Sequence, residues 1–237
     1  MSSTDIPVVA IDGPSGAGKG TISRLVAAHL NFHYLDSGAL YRLTALAARQ
    51  QGVDWDNEDS VAEIARNMAV EFKPGVDDVI VLLDGEDVSK AIRHEDMSVG
   101  ASTVAVHPQV RQSLLDLQHD FQKAPGLVAD GRDMGTVVFP QAPAKIYLTA
   151  SAEARAERRH KQLLEAKLLA PGDSGSLRAL LADIQARDER DSQRSSSPLK
   201  PADDALVLDS TALSIDQVME AVKAYIAAKG IGPAKVQ

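Results

Sequence analysis

Nine consecutive residues carry the densest chemistry in the chain: Gly13, Pro14, Ser15, Gly16, Ala17, Gly18, Lys19, Gly20 and Thr21. The glycines at 13, 16, 18 and 20 let successive backbone N–H groups converge on phosphate oxygens, where a Cβ would hold the chain away. Lys19 adds a mobile ammonium suited to β- and γ-phosphates, and Thr21 a hydroxyl near the metal that accompanies them. Such a loop needs a strand before it and a helix after it, whose positive N-terminal end joins the same anion site. The apolar run Val8-Val9-Ala10-Ile11 and the helix-patterned Ile22–Leu30 meet both needs. One position departs from the general pattern: Gly20 stands where Ser or Thr usually follows the lysine, so the hydroxyl comes one residue late. GTPases and motor ATPases, which hold magnesium through that hydroxyl, therefore fit less well. A glycine turn with no ligand is the alternative, and the flanking strand and helix count against it.

Three further clusters could serve the same chemistry. The run Phe32–Leu35 ends in Asp36-Ser37-Gly38 and leads into a helical pattern from Leu40 to Arg49. Asp36, Ser37 and Arg42 thus stand at a strand's carboxyl end, the edge where open parallel sheets bind ligands, although Asp36-Ser37 is equally a plain helix cap. The run Leu127–Asp133 is an apolar strand closing on Asp130, the form of an acid that faces a metal through water, with Arg132 close behind. Arg187, Asp191 and Arg194 are spaced by four and three, so they share one helix face. They form either an intrahelical salt-bridge ladder or the arginine side of a lid that closes over a phosphoryl group.

The elements that must position these groups alternate between strand and helix. Lys145–Thr149 and Leu206–Asp209 are near-continuous apolar runs, as expected of parallel strands buried on both faces. Helices are expected over Ala152–Leu169, Leu177–Gln193 and Ile215–Ala228, with a loop at Ala170–Ser176 and a frayed tail after Gly230. The segment 101–123 is helical in pattern and broken at Pro108; alone, its Ser102 and Arg111 would be a cap and a surface arginine. Short strands at Val70–Phe72, Val79–Leu83 and Val88, with turns at Pro74-Gly75 and Asp84-Gly85, interrupt the alternation with an antiparallel sheet. The expected architecture is α/β, with residues 1–69 and 99–237 as core, a helical lid at about 155–194, and residues 70–98 inserted either as a lobe closing over substrate or as an ornamental hairpin.

At 237 residues the chain can bury a full core, and with no cysteine it can form neither disulfides nor thiolate metal sites, so a reducing compartment is expected. The N-terminal residues lack a basic region and no long apolar run follows, which argues for a soluble, cytoplasmic protein. A net charge of -8 argues against a sequence-independent nucleic-acid or membrane face, yet permits a local cationic cleft for a nucleotide. A monomer is expected, because no long exposed apolar stripe stands out.

The Gly-Lys-Gly-Thr loop resembles that of nucleoside monophosphate kinases, and several blocks together resemble the bacterial cytidylate kinases. These blocks are Ile11 to Thr21, Leu35-Asp36-Ser37-Gly38-Ala39-Leu40-Tyr41-Arg42, Asp130 to Pro140, Arg187-Asp188-Glu189-Arg190-Asp191 and Leu208-Asp209-Ser210. The resemblance implies a P-loop NTPase-type three-layer core with a five-stranded parallel sheet, a monophosphate-binding insert and a lid. It implies transfer of the γ-phosphoryl group of ATP, with Mg²⁺, to CMP or dCMP. By matching position, Ser37, Arg42 and Arg132 would meet the acceptor phosphate, and Ser102, Arg111 and Asp133 would read the cytosine edge. Arg187 and Asp191 would contact the sugar, while Arg158, Arg159 and Arg194 would serve the donor phosphates or the lid. Lys19, Arg132, Arg158 and Arg187 would be the catalytic cations, and Thr21 with Asp130 would face the metal.

Arginine, serine and aspartate can match the acceptors and the amino donor of cytosine, and a buried hydrogen-bonding set rejects other bases because it would be left unpaired. The alternatives are a kinase for UMP or AMP and a P-loop switch that hydrolyses ATP slowly. A second phosphate-type site around Arg42 and Arg132 counts against the switch.

Overall fold

The computed structural model describes residues 6–74, 79–165, 174–194 and 197–234. In chain order it forms β1 (Val8–Asp12), α1 (Lys19–Leu30), β2 (His33–Asp36), α2 (Ser37–Gln50), α3 (Glu58–Asn67), β3 (Val70–Pro74), β4 (Val79–Leu83), β5 (Glu86–Asp87), α4 (Glu95–Val104) and α5 (Pro108–His119). Then follow β6 (Leu127–Gly131), β7 (Ala144–Thr149), α6 (Ala152–Glu165), α7 (Ser174–Ser192), β8 (Leu206–Asp209) and α8 (Ile215–Ala228). Gly75 of the expected Pro74-Gly75 turn, residues 166–173 with most of the expected lid loop, and the tail from residue 235 lie outside the described residues. Among the described residues no helix is long and apolar enough to cross a membrane.

The chain divides into two compact units, one of Met1–Leu35 with Phe121–Gln237 and one of Asp36–Asp120. In the first, a five-stranded sheet runs in the order β2-β6-β1-β7-β8. β1 lies parallel to β6 and β7, and β7 parallel to β8. All five residues of β1 are buried, which is why the strand reads as an unbroken apolar run up to Asp12. Val9, Ile11, Val128, Ile146 and Leu148 of the sheet pack with Ile22, Val26 and Leu30 of α1 and Val222 and Ile226 of α8. The register pairs Asp12 with both Gly131 and Tyr147. The carboxyl ends of three strands therefore meet at one edge, and the segments that follow them leave the sheet side by side.

The second unit packs α2 against α3 and α4, and α3 against α5. Its three-stranded sheet, β3-β4-β5, is antiparallel as expected, with Phe72 opposite Val81 and Leu83 opposite Glu86. The segment expected to be helical over 101–123 with a break at Pro108 is two helices that meet there, and the first begins earlier than expected, at Glu95. Pro108 does not interrupt a helix; it occupies the first turn of α5, where its missing N–H costs nothing and its fixed φ is already helical.

Trp55, the only tryptophan in the chain, donates from Nε1 to the Ala45 carbonyl of α2 at 2.9 Å. A Cβ built on Gly100 of α4 would stand 2.7 Å from Trp55 Cζ2 and 2.9 Å from Ala45 Cβ. Two effects compete at this position: alanine gains about 1 kcal/mol of helix propensity, whereas overpacking a filled contact costs about 1–3 kcal/mol. We expect steric crowding to win, so Gly100→Ala lowers the unfolding midpoint by a few degrees in a thermal melt followed by Trp55 fluorescence. An unchanged midpoint would show that the indole can move aside.

Candidate active site

The glycine loop leaves β1 in two conformations that only glycine adopts freely. Gly13 has φ 147°, and a Cβ there would lie 1.9 Å from the Leu148 carbonyl oxygen of β7. Gly18 has φ 94° and starts α1, so the helix N-terminus opens directly onto the loop. Lys19 is the first residue of that helix and is only 6% exposed. Its Nζ donates to the Pro14 carbonyl at 3.0 Å and lies 3.9 Å from Asp130 Oδ1. Burial lowers the Lys19 pKa to about 8; the Arg132 and Arg187 charges push the same way, while Asp130 and Asp12 resist.

Asp130 stands next to last on β6 and accepts from the Tyr34 hydroxyl at 3.4 Å. The absent side chain of Gly20 would point toward the same carboxylate, 3.5 Å from Asp130 Oδ2. Thr21 is partly buried on α1, two residues after Lys19. Among the described residues no three acidic or histidine side chains converge as a ready cage. A lone carboxylate beside a phosphate loop fits an ion that brings its own water and phosphate ligands, as Mg²⁺ does.

Arg132, just past β6, donates from Nε to Asp191 Oδ2 on α7 at 2.7 Å, and Arg194 donates from Nη2 to Asp191 Oδ1. Asp191 is 1% exposed. Burial pushes its carboxyl up, yet the guanidinium charges of Arg132 and Arg194 outweigh that and hold it below the usual carboxylate range. Of the two expected roles, the structure shows part of the ladder, in the local pair of Asp191 with Arg194 just past the end of α7, and a bond from Arg132 that ties Asp191 to the end of β6. Arg187 is partly buried on α7, and its charge acts on both Lys19 and Asp191. Asp133, beside Arg132, is buried. Arg158 donates to the Ser210 hydroxyl at 3.2 Å and to the Ser210 carbonyl at 2.5 Å, and Arg159 is partly buried on α6.

Ser37, Arg42, Ser102 and Arg111 belong to the Asp36–Asp120 unit. Asp36 caps α2, accepting from the Ala39 N–H at 3.0 Å, and its other oxygen accepts from Arg42 at 2.8 Å. The cap reading of Asp36 is thus right, and the same carboxylate also orients Arg42. Ser37 is buried in the first turn of α2. Arg111 is no surface arginine: it is buried on α5, with its guanidinium 5.7 Å above the Tyr41 ring and a 3.4 Å bond to the Ala105 carbonyl. Ser102 is 2% exposed on α4, and among the described residues its Oγ has no hydrogen-bond partner. A buried hydroxyl with no partner costs about 1–3 kcal/mol, which a ligand polar group would recover.

Sequence reasoning missed two residues that build the site. Arg155, 4% exposed, donates to the Ser15 carbonyl of the loop at 3.0 Å and to the Ala150 carbonyl at 3.0 Å, and grips both oxygens of Asp188 on α7. One guanidinium thereby ties the loop to α6 and α7, and nothing in the basic run around it distinguishes it. Asp12, at the end of β1, accepts from the Met134 and Gly135 N–H groups at 2.8 Å each. Burial raises its pKa to about 7; the two amides and Lys19 pull the other way, and Asp133 adds to the rise. Its signal was available, because Asp12 closes an apolar strand just as Asp130 does.

The Asp191 pairs set a pH dependence whose sign can be worked out. A carboxyl held low in the folded state contributes stability in full above its unfolded pKa and loses it as pH falls through the folded value. We expect Asp191→Asn to lower unfolding free energy by about 3 kcal/mol near neutrality, because two largely buried guanidinium groups lose their counter-charge. The gap to the unsubstituted protein should narrow as pH falls from about 5 through the lowered folded value in urea titrations, and a gap that stays constant on acidification would exclude the ionic account.

Comparison with known proteins places this geometry in a family. Residues 9–228 match the family model described as cytidylate kinase. The cytidylate kinase of Stutzerimonas stutzeri is 54% identical over 224 residues, covering 94% of this chain and 96% of that protein. That of Pseudomonas savastanoi pv. phaseolicola is 56% identical over 227 residues, covering 95% and 97%, and that of Vibrio vulnificus is 54% identical, covering 96% and 98%. With the strand–loop–helix of Lys19, the acid of Asp130 and the buried arginines all inside the matched span, the chain belongs to the cytidylate kinase family.

Proposed function

We propose that this chain transfers the γ-phosphoryl group of Mg·ATP to CMP or dCMP, giving ADP and the corresponding diphosphate. The observation that carries this reading is the glycine loop that opens onto the N-terminus of α1 with the buried Lys19 at its head, 3.9 Å from Asp130, and with the positive charges of Arg132 and Arg187 acting on the same lysine. Positive charge gathered this way is relieved by a polyanion, and the family membership says which kind. An oxygen of the acceptor phosphate, already anionic at neutral pH, attacks the γ-phosphorus as the bond to the β-phosphate oxygen breaks. No general base is required, and positioning with charge neutralisation carries the rate.

In this reading the loop from Gly13 to Thr21 cradles the donor phosphates, with Lys19 on the transferred group. Arg158, Arg159 and Arg194 serve the donor phosphates or the lid, and Arg187 and Asp191 meet the sugar. Ser37, Arg42 and Arg132 hold the acceptor phosphate. Ser102, Arg111 and Asp133 read the cytosine edge, and the partnerless Ser102 hydroxyl and the buried Arg111 support that role. Mg²⁺, bound with ATP, would neutralise charge on the β- and γ-phosphates near Thr21 and, through water, Asp130. Residues 70–98 would close over the acceptor as a lobe, and the α6–α7 hairpin would close over the donor. We place the enzyme in the cytoplasm as a monomer, free of nucleic acid and membrane; the net charge of -8 supports that.

The test is ADP formation from Mg·ATP with CMP, dCMP, UMP, AMP and GMP supplied separately beside a control without acceptor. Fast turnover confined to CMP and dCMP is expected. Preference for another monophosphate would keep the kinase and move the base-reading residues, while slow hydrolysis indifferent to every acceptor would overturn the kinase. Lys19→Ala should lower turnover by at least about 10²-fold with the fold retained, and activity like that of the unsubstituted enzyme would remove Lys19 from the phosphate role.

A further inference from the structure

Asp12 has no part in the chemistry above, yet both of its carboxylate oxygens are committed. It is the last residue of β1, directly before Gly13, and is 5% exposed. Its Oδ1 accepts from Met134 N and its Oδ2 from Gly135 N, each at 2.8 Å. Those two residues open the five-residue π-turn Met134–Val138. A helical turn begins with backbone N–H groups that have no partner inside it, and a side chain at the preceding position normally accepts from them. Here the preceding residue is Asp133, whose side chain makes no capping bond to the turn. The cap comes from across the sheet edge, 122 and 123 residues away in the chain. The fit is close: a Cβ on Gly135 would stand 3.4 Å from Asp12 Oδ2 and 3.2 Å from the Lys145 side chain.

We propose that Asp12 is a positioning residue for acceptor recognition: by clamping the Met134 and Gly135 N–H groups it fixes the backbone immediately behind Arg132 and Asp133, and so sets where those two side chains meet the monophosphate. The proposal rests on the reading of Arg132 and Asp133 as acceptor contacts. The hydrogen bonds of Asp12 run to the segment after β6 rather than to residues 13–18, so its link to the donor loop is the longer-range charge it shares with Lys19, and the clamp is read from the acceptor side. It also explains the residue type. The two N–H donors each meet a separate oxygen, which a carboxylate supplies; an amide in the same place would set its own N–H₂ against one of them.

The experiment compares Asp12→Asn, Asp133→Ala and the unsubstituted protein, with binding of CMP alone and of ATP alone by calorimetry and KM for each substrate. Asp12→Asn keeps volume and loses one acceptor. We expect its CMP Kd and KM to rise about tenfold and its preference for CMP over UMP to fall, with ATP binding changed less than about threefold. A general structural role would move both substrates together, and that result overturns the proposal; so does unchanged CMP binding. If Asp133→Ala raises CMP KM but Asp12→Asn does not, the positioning role alone fails. If Asp133→Ala leaves CMP affinity and base preference intact, the acceptor reading itself fails. Should Asp12→Asn not fold, Gly135→Ala presses on the same clamp from the other side and must show the same split between CMP and ATP.

Discussion

A lysine that must stay charged while buried is the constraint around which this molecule is arranged. Lys19 lies at a helix N-terminus, which itself repels a cation, and its solvation is largely gone. Asp130 and Asp12 supply negative charge at the ends of two neighbouring strands, but Arg132 and Arg187 take much of that stabilisation back. The loop answers this with a hydrogen bond from the ammonium to the Pro14 carbonyl.

Charged groups tie α6 and α7 to this centre. Arg155 joins Ser15, Ala150 and Asp188, and Asp191 joins Arg132 and Arg194. Buried ion pairs of this kind recover a desolvation cost of several kcal/mol per ion only when each group is fully bonded, so they favour one geometry more than they favour stability.

Much of the fold was legible because neighbouring residues encode it. The apolar runs of β1, β6, β7 and β8, the glycine loop and the helix over Ile215–Ala228 all appear where local pattern puts them. The break at Pro108 was legible because proline favours the first turn of a helix, whereas the start of α4 at Glu95 was not, because that residue falls inside the segment expected as the insertion. Arg111 looked like a surface residue because helical spacing does not say which face another helix covers.

The sequence by itself determined the loop, its lysine, the acid that ends β6 and the spacing of the arginines on α7, since each depends on residues within a few positions of one another. Only the tertiary structure decided which groups the charged side chains bond: Asp12 the Met134 N–H across 122 residues, Arg155 the Ser15 carbonyl across 140, and Arg132 the Asp191 carboxylate across 59. Hydrogen bonds of that range have no local signature, because they form from the order in which parallel strands enter the sheet. Asp12 shows the difference most plainly. Its residue type and strand-end position are written in the chain, but its role follows from β6 lying beside β1 in a register that sets Gly131 opposite it.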